Sequence, residues 1–197
     1  SRMSNRLGLR IDVDTFRGTR DGVPELCRIL QARDIKATFF FTVGPDNMGR
    51  HLFRLLRPTF LRKMLRTRAG NLYGWSILFR GTLWPGPRIG QRLASTIRLA
   101  ADAGHEIGVH AWDHHLWQMK VEKLGPRGLH DQIGKAFECL KQIIGREPDC
   151  SAVAGWRCTD EVLQAKEGFP FRYNSDCRGT CGSFRPVVGG HELSQPQ

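Results

Sequence analysis

The first 43 residues read as strand, helix, strand, and that order constrains the fold more than any other feature of the chain. Residues 7–13 (LGLRIDV) form an apolar run ending on acidic residues. After a Gly-containing turn, residues 23–33 (VPELCRILQAR) place Val23, Leu26, Cys27, Ile29 and Leu30 at helical spacing, with Pro24 suited to a first turn. Residues 36–43 (KATFFFTV) are β-branched and aromatic, the composition of a buried strand. A β-α-β start predicts a parallel α/β fold, a sheet or a barrel.

The alternation breaks at residues 46–90 and then resumes. Residues 91–103 predict a helix closed by Gly104, and 105–110 (HEIGVH) a strand ending on a histidine. Residues 127–145 carry an apolar stripe of Leu129, Ile133, Ala136, Phe137, Leu140, Ile143 and Ile144. Cys150–Val153 reads as a short strand, 160–167 as a helix capped by Thr159, and Phe171–Asn174 as another strand. The polar tail GGHELSQPQ, with His191, reads as loop or disorder. The whole chain, 1–197, is expected to be one domain, with 46–90 inserted in it.

In parallel α/β folds the chemistry collects at the C-terminal ends of the strands. Asp12 and Asp14, His110 and His114, Arg157 and Asp176 all follow predicted strands. His110-Ala-Trp-Asp-His114 spaces two imidazoles four apart, which on a helical turn would share a face and reach one metal ion; adjacent His115 leaves open which ring binds. The Asp12-Val-Asp14 pair can supply a third ligand and a free carboxylate for proton transfer. Two histidines and one aspartate suit a single divalent ion: zinc, cobalt, manganese or nickel.

The insertion is basic and amphipathic. Between Met48 and Pro85 lie eight Lys and Arg residues and no Asp or Glu, so most of the formal net charge of +11 is concentrated there. Arg54, Arg57, Arg62, Lys63 and Arg66 alternate with apolar clusters, and Trp75 and Trp84 follow. This pattern predicts contact with an anionic membrane face; the other reading is a helical hairpin packed on the core with a solvated basic face. Nucleic acid is not expected, because no base-reading motif accompanies the charge. Trp112 and Trp156 flank the proposed site in sequence and either wall its pocket, a sugar pocket if the resemblance given below holds, or pack in the core. Gly44-Pro45-Asp46 reads as a turn.

The composition, 40% hydrophobic and 25% charged, is that of a globular chain. The six cysteines form no Cys-x-x-Cys pair, the first ten residues carry no apolar signal core, and no run of about 18 apolar residues exists. The expectation is a reducing, cytoplasmic protein, peripheral to the inner face of the membrane.

These motifs resemble the NodB-type polysaccharide deacetylases. Asp12-Val-Asp14-Thr15 is similar to that family's first motif, His110-x3-His114 to its second, Arg157 to its third and Asp176 to its fourth. The longer runs RIDVDTFRGTRDGVP (10–24), TFFFTVGPDNMGRHL (38–52), HAWDHH (110–115), AGWR (154–157) and RYNSDCRGT (172–180) resemble one branch of it. That branch removes the formyl group from 4-deoxy-4-formamido-L-arabinose carried on undecaprenyl phosphate, in lipid A modification and resistance to cationic peptides. The resemblance implies a distorted, incomplete (β/α) barrel and a metal-dependent amide hydrolase. It further implies Asp12 as base, Asp14, His110 and His114 as metal ligands, Arg157 as the group positioning Asp12, and Asp176 as support for an acid histidine. The family's late histidine motif is not met before Gln197, so the expectation is a chain lacking its last strands and its general acid. The alternatives are an N-deacetylase of another sugar, or a membrane-binding module with an incomplete site.

Overall fold

The computed structural model describes residues 7–50, 85–179 and 182–197. Five parallel strands form one sheet: β1 (Arg10–Val13), β2 (Thr38–Thr42), β3 (Glu106–Ala111), β4 (Cys150–Ser151) and β5 (Tyr173–Asn174), in the order β1-β2-β3-β4-β5. Each strand thus lies beside its predecessor in sequence. Because such crossovers turn right-handed, their helices fall on one side of the sheet. The crossover helices Val23–Gln31, Ala94–Asp102, Gly125–Ile144 and Asp160–Lys166 do pack each on the next. This is the winding of a (β/α) barrel, and among the described residues it stays open rather than closing.

Apart from β3, which is as long as the run that predicts it, the strands are shorter than those runs, since only the paired part of each joins the ladder. The Phe39-Phe40-Phe41 run shows why β2 is central. Alternation sends Phe39 and Phe41 into the helix-facing core with Val13, Ile97, Ile107, Leu129 and Leu140. Phe40 faces the other way, into a small cluster with Cys150 and Ala152. Helix ends follow local chemistry: Thr159 Oγ1 accepts from Val162 N at the start of Asp160–Lys166, and Gly145, at φ 73°, ends Gly125–Ile144 in the left-handed conformation. The resumed helix begins earlier than expected, as Ile89–Arg92, breaks at Leu93, and continues as Ala94–Asp102.

The tail is ordered, contrary to expectation. Val187–Val188 and His191–Glu192 pair as a small antiparallel hairpin, β6 and β7. Beyond it, Gln195 is buried, accepts from Asn174 Nδ2 at 2.7 Å and donates to the carbonyls of Lys166 and Phe169. A pattern of polar residues gives no sign of this, because amide side chains satisfy buried backbone groups without any apolar periodicity.

Of the 46–90 insertion, residues 46–50 and 85–90 are described. Arg54, Arg57, Arg62, Lys63, Arg66, Trp75 and Trp84 lie outside the described residues, as does Cys181. The five described cysteines are free. No helix among the described residues is long and apolar enough to cross a membrane.

Candidate metal centre

Asp14, His110 and His114 converge. One ligand atom from each lies within 4.8 Å of the others. His110 Nε2 is 3.1 Å from Asp14 Oδ1, and His114 Nε2 is 3.4 Å from Asp14 Oδ2. Both histidines are buried. The cluster takes His114 rather than His115.

The two histidines do not share a helical turn, as their spacing suggested. His110 lies in β3, where the register with β2 slips: Phe41 pairs with Val109 but Thr42 with Ala111. The irregularity leaves His110 unpaired in the ladder and re-aims its ring, a common device beside active sites. His114 is the first residue of the helix His114–Lys120, whose cap is Asp113, accepting from Leu116 N at 2.9 Å. A strand end, a turn and a helix start therefore give the four-residue spacing.

The hydrogen bonds around His110 test whether a metal fits. Its Nδ1 lies 2.9 Å from the carbonyl oxygen of Ala152. A carbonyl only accepts, so Nδ1 carries the proton and Nε2 presents a lone pair. That lone pair faces a carboxylate oxygen, Asp14 Oδ1, which is buried and has no hydrogen-bond partner. With the ring neutral, two acceptors face each other, an arrangement that a divalent cation between them would satisfy. Ligands about 2.0–2.1 Å from a tetrahedral ion stand about 3.3 Å apart, near both separations seen here. The donor set of two imidazoles and a carboxylate fits a divalent metal.

Electrostatics favour the binding-competent forms. Burial pushes the Asp14 carboxyl up, but positive charge beside it, on the His110 and His114 rings when protonated and on Arg10, holds it below the usual carboxylate range; a divalent ion between the neutral rings would supply that charge in their place. Burial pushes His114 down and keeps its imidazole neutral, against the pull of Asp14.

Asp12 sits two residues before Asp14 on β1, with its side chain partly open to solvent. The resemblance implies Arg157 as its partner, but the structure does not bring them together. Arg157 Nη2 instead donates to Glu122 at 2.6 Å on the surface. Arg10 takes the place: its Nε and Nη2 donate to the two oxygens of Asp12 at 2.7 and 2.8 Å. Sequence reasoning misses Arg10, which opens the run 10–24; its position two before Asp12, on the same strand face, is the available signal.

Trp156 covers this pair. It is about half exposed, stacks over the Arg10 guanidinium at 4.2 Å, and holds a φ of 55°. Left-handed backbone at a bulky side chain marks a constrained site. Trp112, by contrast, packs against the main core, and a Cβ on Gly44 would fall 2.2 Å from its carbonyl oxygen.

Asp176 is held by a lysine. Its carboxylate is buried, takes both its oxygens to within 2.7 Å of Lys166 Nζ, and accepts from Val153 N. Among the described residues it supports no histidine. It ties β4, β5 and the helix Asp160–Lys166 together behind the site.

An open parallel α/β sheet bears a two-histidine, one-aspartate cluster at its strand ends, a donor set of the kind that holds a single divalent ion. Residues 11–173 match the polysaccharide deacetylase family, and the chain belongs to that family. It is 65% identical over 184 residues to a protein of Shewanella sediminis named probable 4-deoxy-4-formamido-L-arabinose-phosphoundecaprenol deformylase ArnD, covering 93% of this chain and 60% of that one. A protein of the same name from Wigglesworthia glossinidia brevipalpis is 44% identical over 181 residues, 91% of this chain and 63% of that one. The chain thus spans about three fifths of the length of these curated relatives. The crystal structure of a Mycobacterium smegmatis protein assigned as a polysaccharide deacetylase superposes with a TM-score of 0.63 at 18% identity, over 94% of this chain and 56% of that one.

Proposed function

We propose that this chain carries the metal site and the base of a hydrolase that removes the formyl group from 4-deoxy-4-formamido-L-arabinose on undecaprenyl phosphate. The carrying observation is the His110 lone pair aimed at the partnerless Asp14 oxygen, in a chain 65% identical to a protein of that name. Asp14, His110 and His114 would hold one divalent ion, which when bound polarises the formamide carbonyl and acidifies a water. Asp12 is the group that takes the water's proton, and the Arg10 fork fixes the direction of its carboxylate. Trp156, about half exposed and held against Arg10 and Arg178, would form a wall of the sugar pocket beside them.

One cavity would suit the substrate's phosphate. A cavity of about 590 Å³ is lined by Phe16, Pro85, Gly86, Pro87, Arg88, Gln91 and Arg92. Among the described residues its lining has two guanidinium groups and no carboxylate, and Phe16 lies two residues beyond Asp14. The basic insertion that begins beside this cavity supports contact of Arg54, Arg57, Arg62, Lys63 and Arg66 with an anionic leaflet, at the cytoplasmic face of the membrane. Reversing Arg62, Lys63 and Arg66 to glutamate weakens vesicle binding if this holds.

The test is product analysis with metal-loaded protein and a synthetic formamido-arabinosyl polyprenyl phosphate. Formate release supports the reading. Acetate release from the acetamido analogue with no formate from the formamido sugar identifies a deacetylase instead, and release of neither by the metal-loaded protein overturns the hydrolase.

A further inference from the structure

The loops that carry Asp14 and His114 are about a hundred residues apart in sequence, yet one dipeptide touches both. Asp46 and Asn47, just past the end of β2, are 3% and 4% exposed. Asp46 Oδ2 accepts from the backbone N–H of Phe16 at 2.8 Å, two residues after Asp14. Asn47 Nδ2 donates to Asp113 Oδ2 at 2.6 Å, and Asp113 is the cap immediately before His114. The other end of the Asn47 amide, Oδ1, accepts from Gly86 N at 3.2 Å. Gly86 must be glycine for this junction to close: a Cβ there would stand 1.9 Å from the carbonyl oxygen of Asp46.

The polar groups of this junction are matched donor to acceptor. The Asp113 carboxylate is used at both oxygens, Oδ1 by Leu116 N and Oδ2 by Asn47. Buried groups satisfied in this way hold their geometry, because any displacement strands a donor or acceptor. Neither Asp46 nor Asn47 is among the residues that form the ligand cluster.

We infer that Asp46 and Asn47 are positioning residues that set the separation between Asp14 and His114, and so the affinity and geometry of the metal site. This inference rests on reading Asp14, His110 and His114 as the metal ligands. The brace acts through backbone: Asp46 fixes the loop after Asp14, and Asn47 fixes the cap that aims His114. A turn at residues 44–46 is all that the sequence pattern suggests there; the side chains that leave it span the site.

The junction allows a donor–acceptor exchange. Asn47→Asp places a second carboxylate against Asp113 and breaks the bond. Adding Asp113→Asn restores it with the roles reversed. The amide now at position 113 donates to the carboxylate now at position 47, which still accepts from Gly86 N. The amide oxygen at position 113 still accepts from Leu116 N. Binding of Co²⁺ alone to the apo-protein is titrated for each version, and the visible absorption spectrum of bound Co²⁺ reports ligand geometry. The expected result is at least about a tenfold loss of Co²⁺ affinity and an altered spectrum for Asn47→Asp, with both returning toward the native values in the double variant. Asn47→Ala, which removes the bond without adding a charge, shifts both in the same direction by less and serves if Asn47→Asp does not fold. Native affinity and spectrum in the single variants overturn the inference, as does a folded double variant that recovers neither. Failure of the unaltered protein to bind Co²⁺ would instead overturn the metal reading itself.

Discussion

Arg10 and Asp12 form a two-pronged ion pair within one strand, Nε to Oδ1 at 2.7 Å and Nη2 to Oδ2 at 2.8 Å. The third prong of the guanidinium, Nη1, donates to the carbonyl and hydroxyl oxygens of Ser175 at 2.6 and 2.9 Å. The proposed base is thereby tied to the loop after β5 as well as to its own strand. Asp12→Asn should keep the metal and lower turnover by about 10²- to 10⁴-fold. Arg10→Gln should lower kcat about tenfold or more through poorer orientation, while Arg157→Gln, which releases only a surface pair with Glu122, should change it little. An Arg157→Gln enzyme more impaired than Arg10→Gln would return the positioning role to Arg157.

Arg88 and Arg92 line one cavity, and among the described residues no Asp or Glu lines it with them. Arg88→Gln combined with Arg92→Gln should raise KM for a sugar phosphodiester about tenfold or more, since each charge-assisted hydrogen bond to the phosphate contributes about 1.5–3 kcal/mol. It should leave kcat nearly unchanged. Equal kinetics with a phosphate-free glycoside in both versions would confirm that the phosphate is what they read; an unchanged KM for the phosphodiester would remove the cavity as its site.

Lys166 and Asp176 are 3% and 0% exposed in their side chains, and their contact is 2.7 Å. Removing one partner of such a pair strands a buried charge. Lys166→Met should cost about 3–5 kcal/mol of stability by urea denaturation, and Lys166→Met with Asp176→Asn should recover much of it. The amide oxygen that Asp176→Asn leaves in place can still accept from Val153 N. A single variant as stable as the parent would show that the charge is not confined.

Glu167 holds the tail. Burial pushes its carboxyl up, but bonds from the Ser194 hydroxyl and the backbone N–H groups of Ser194 and Gln195, with Arg185 nearby, bring it below its ordinary value of 4.5. A carboxyl depressed in the folded state contributes stability above that ordinary value, and the contribution fades as pH falls through the folded one. Amide exchange at Asn174, which donates to Pro196 O, should therefore quicken below about pH 4.5 relative to the rest of the sheet. In Glu167→Gln that pH-dependent increment should be absent; its persistence would assign the effect to another carboxyl.

The parallel fold is legible in the sequence because its signals are local. Period-2 burial in Phe39–Phe41, the helical stripe from Leu129 to Ile143, and the glycine at 145 each depend only on near neighbours in sequence. The ligand set is legible as residue types. Its geometry is not, because the spacing from His110 to His114 spans a strand irregularity and a helix cap, and identical spacing on a helix would look the same. The partners of Asp12, Asp113 and Asp176 are hidden for a different reason. Arg157 and Arg10 are equivalent by residue type, and only the sheet decides which lies beside Asp12. Asn47 and Lys166 reach across 66 and 10 residues to groups that no periodicity links them to.

The proposal that Asp14, His110 and His114 form one metal site is tested most directly by elemental analysis of purified protein after metal loading and desalting, on this chain itself and without a substrate. The expected result is about one divalent ion per chain, falling to near background in His110→Ala and in Asp14→Asn, but retained in His115→Ala. An ion content unchanged in His110→Ala, or lost in His115→Ala while present in His114→Ala, would contradict it.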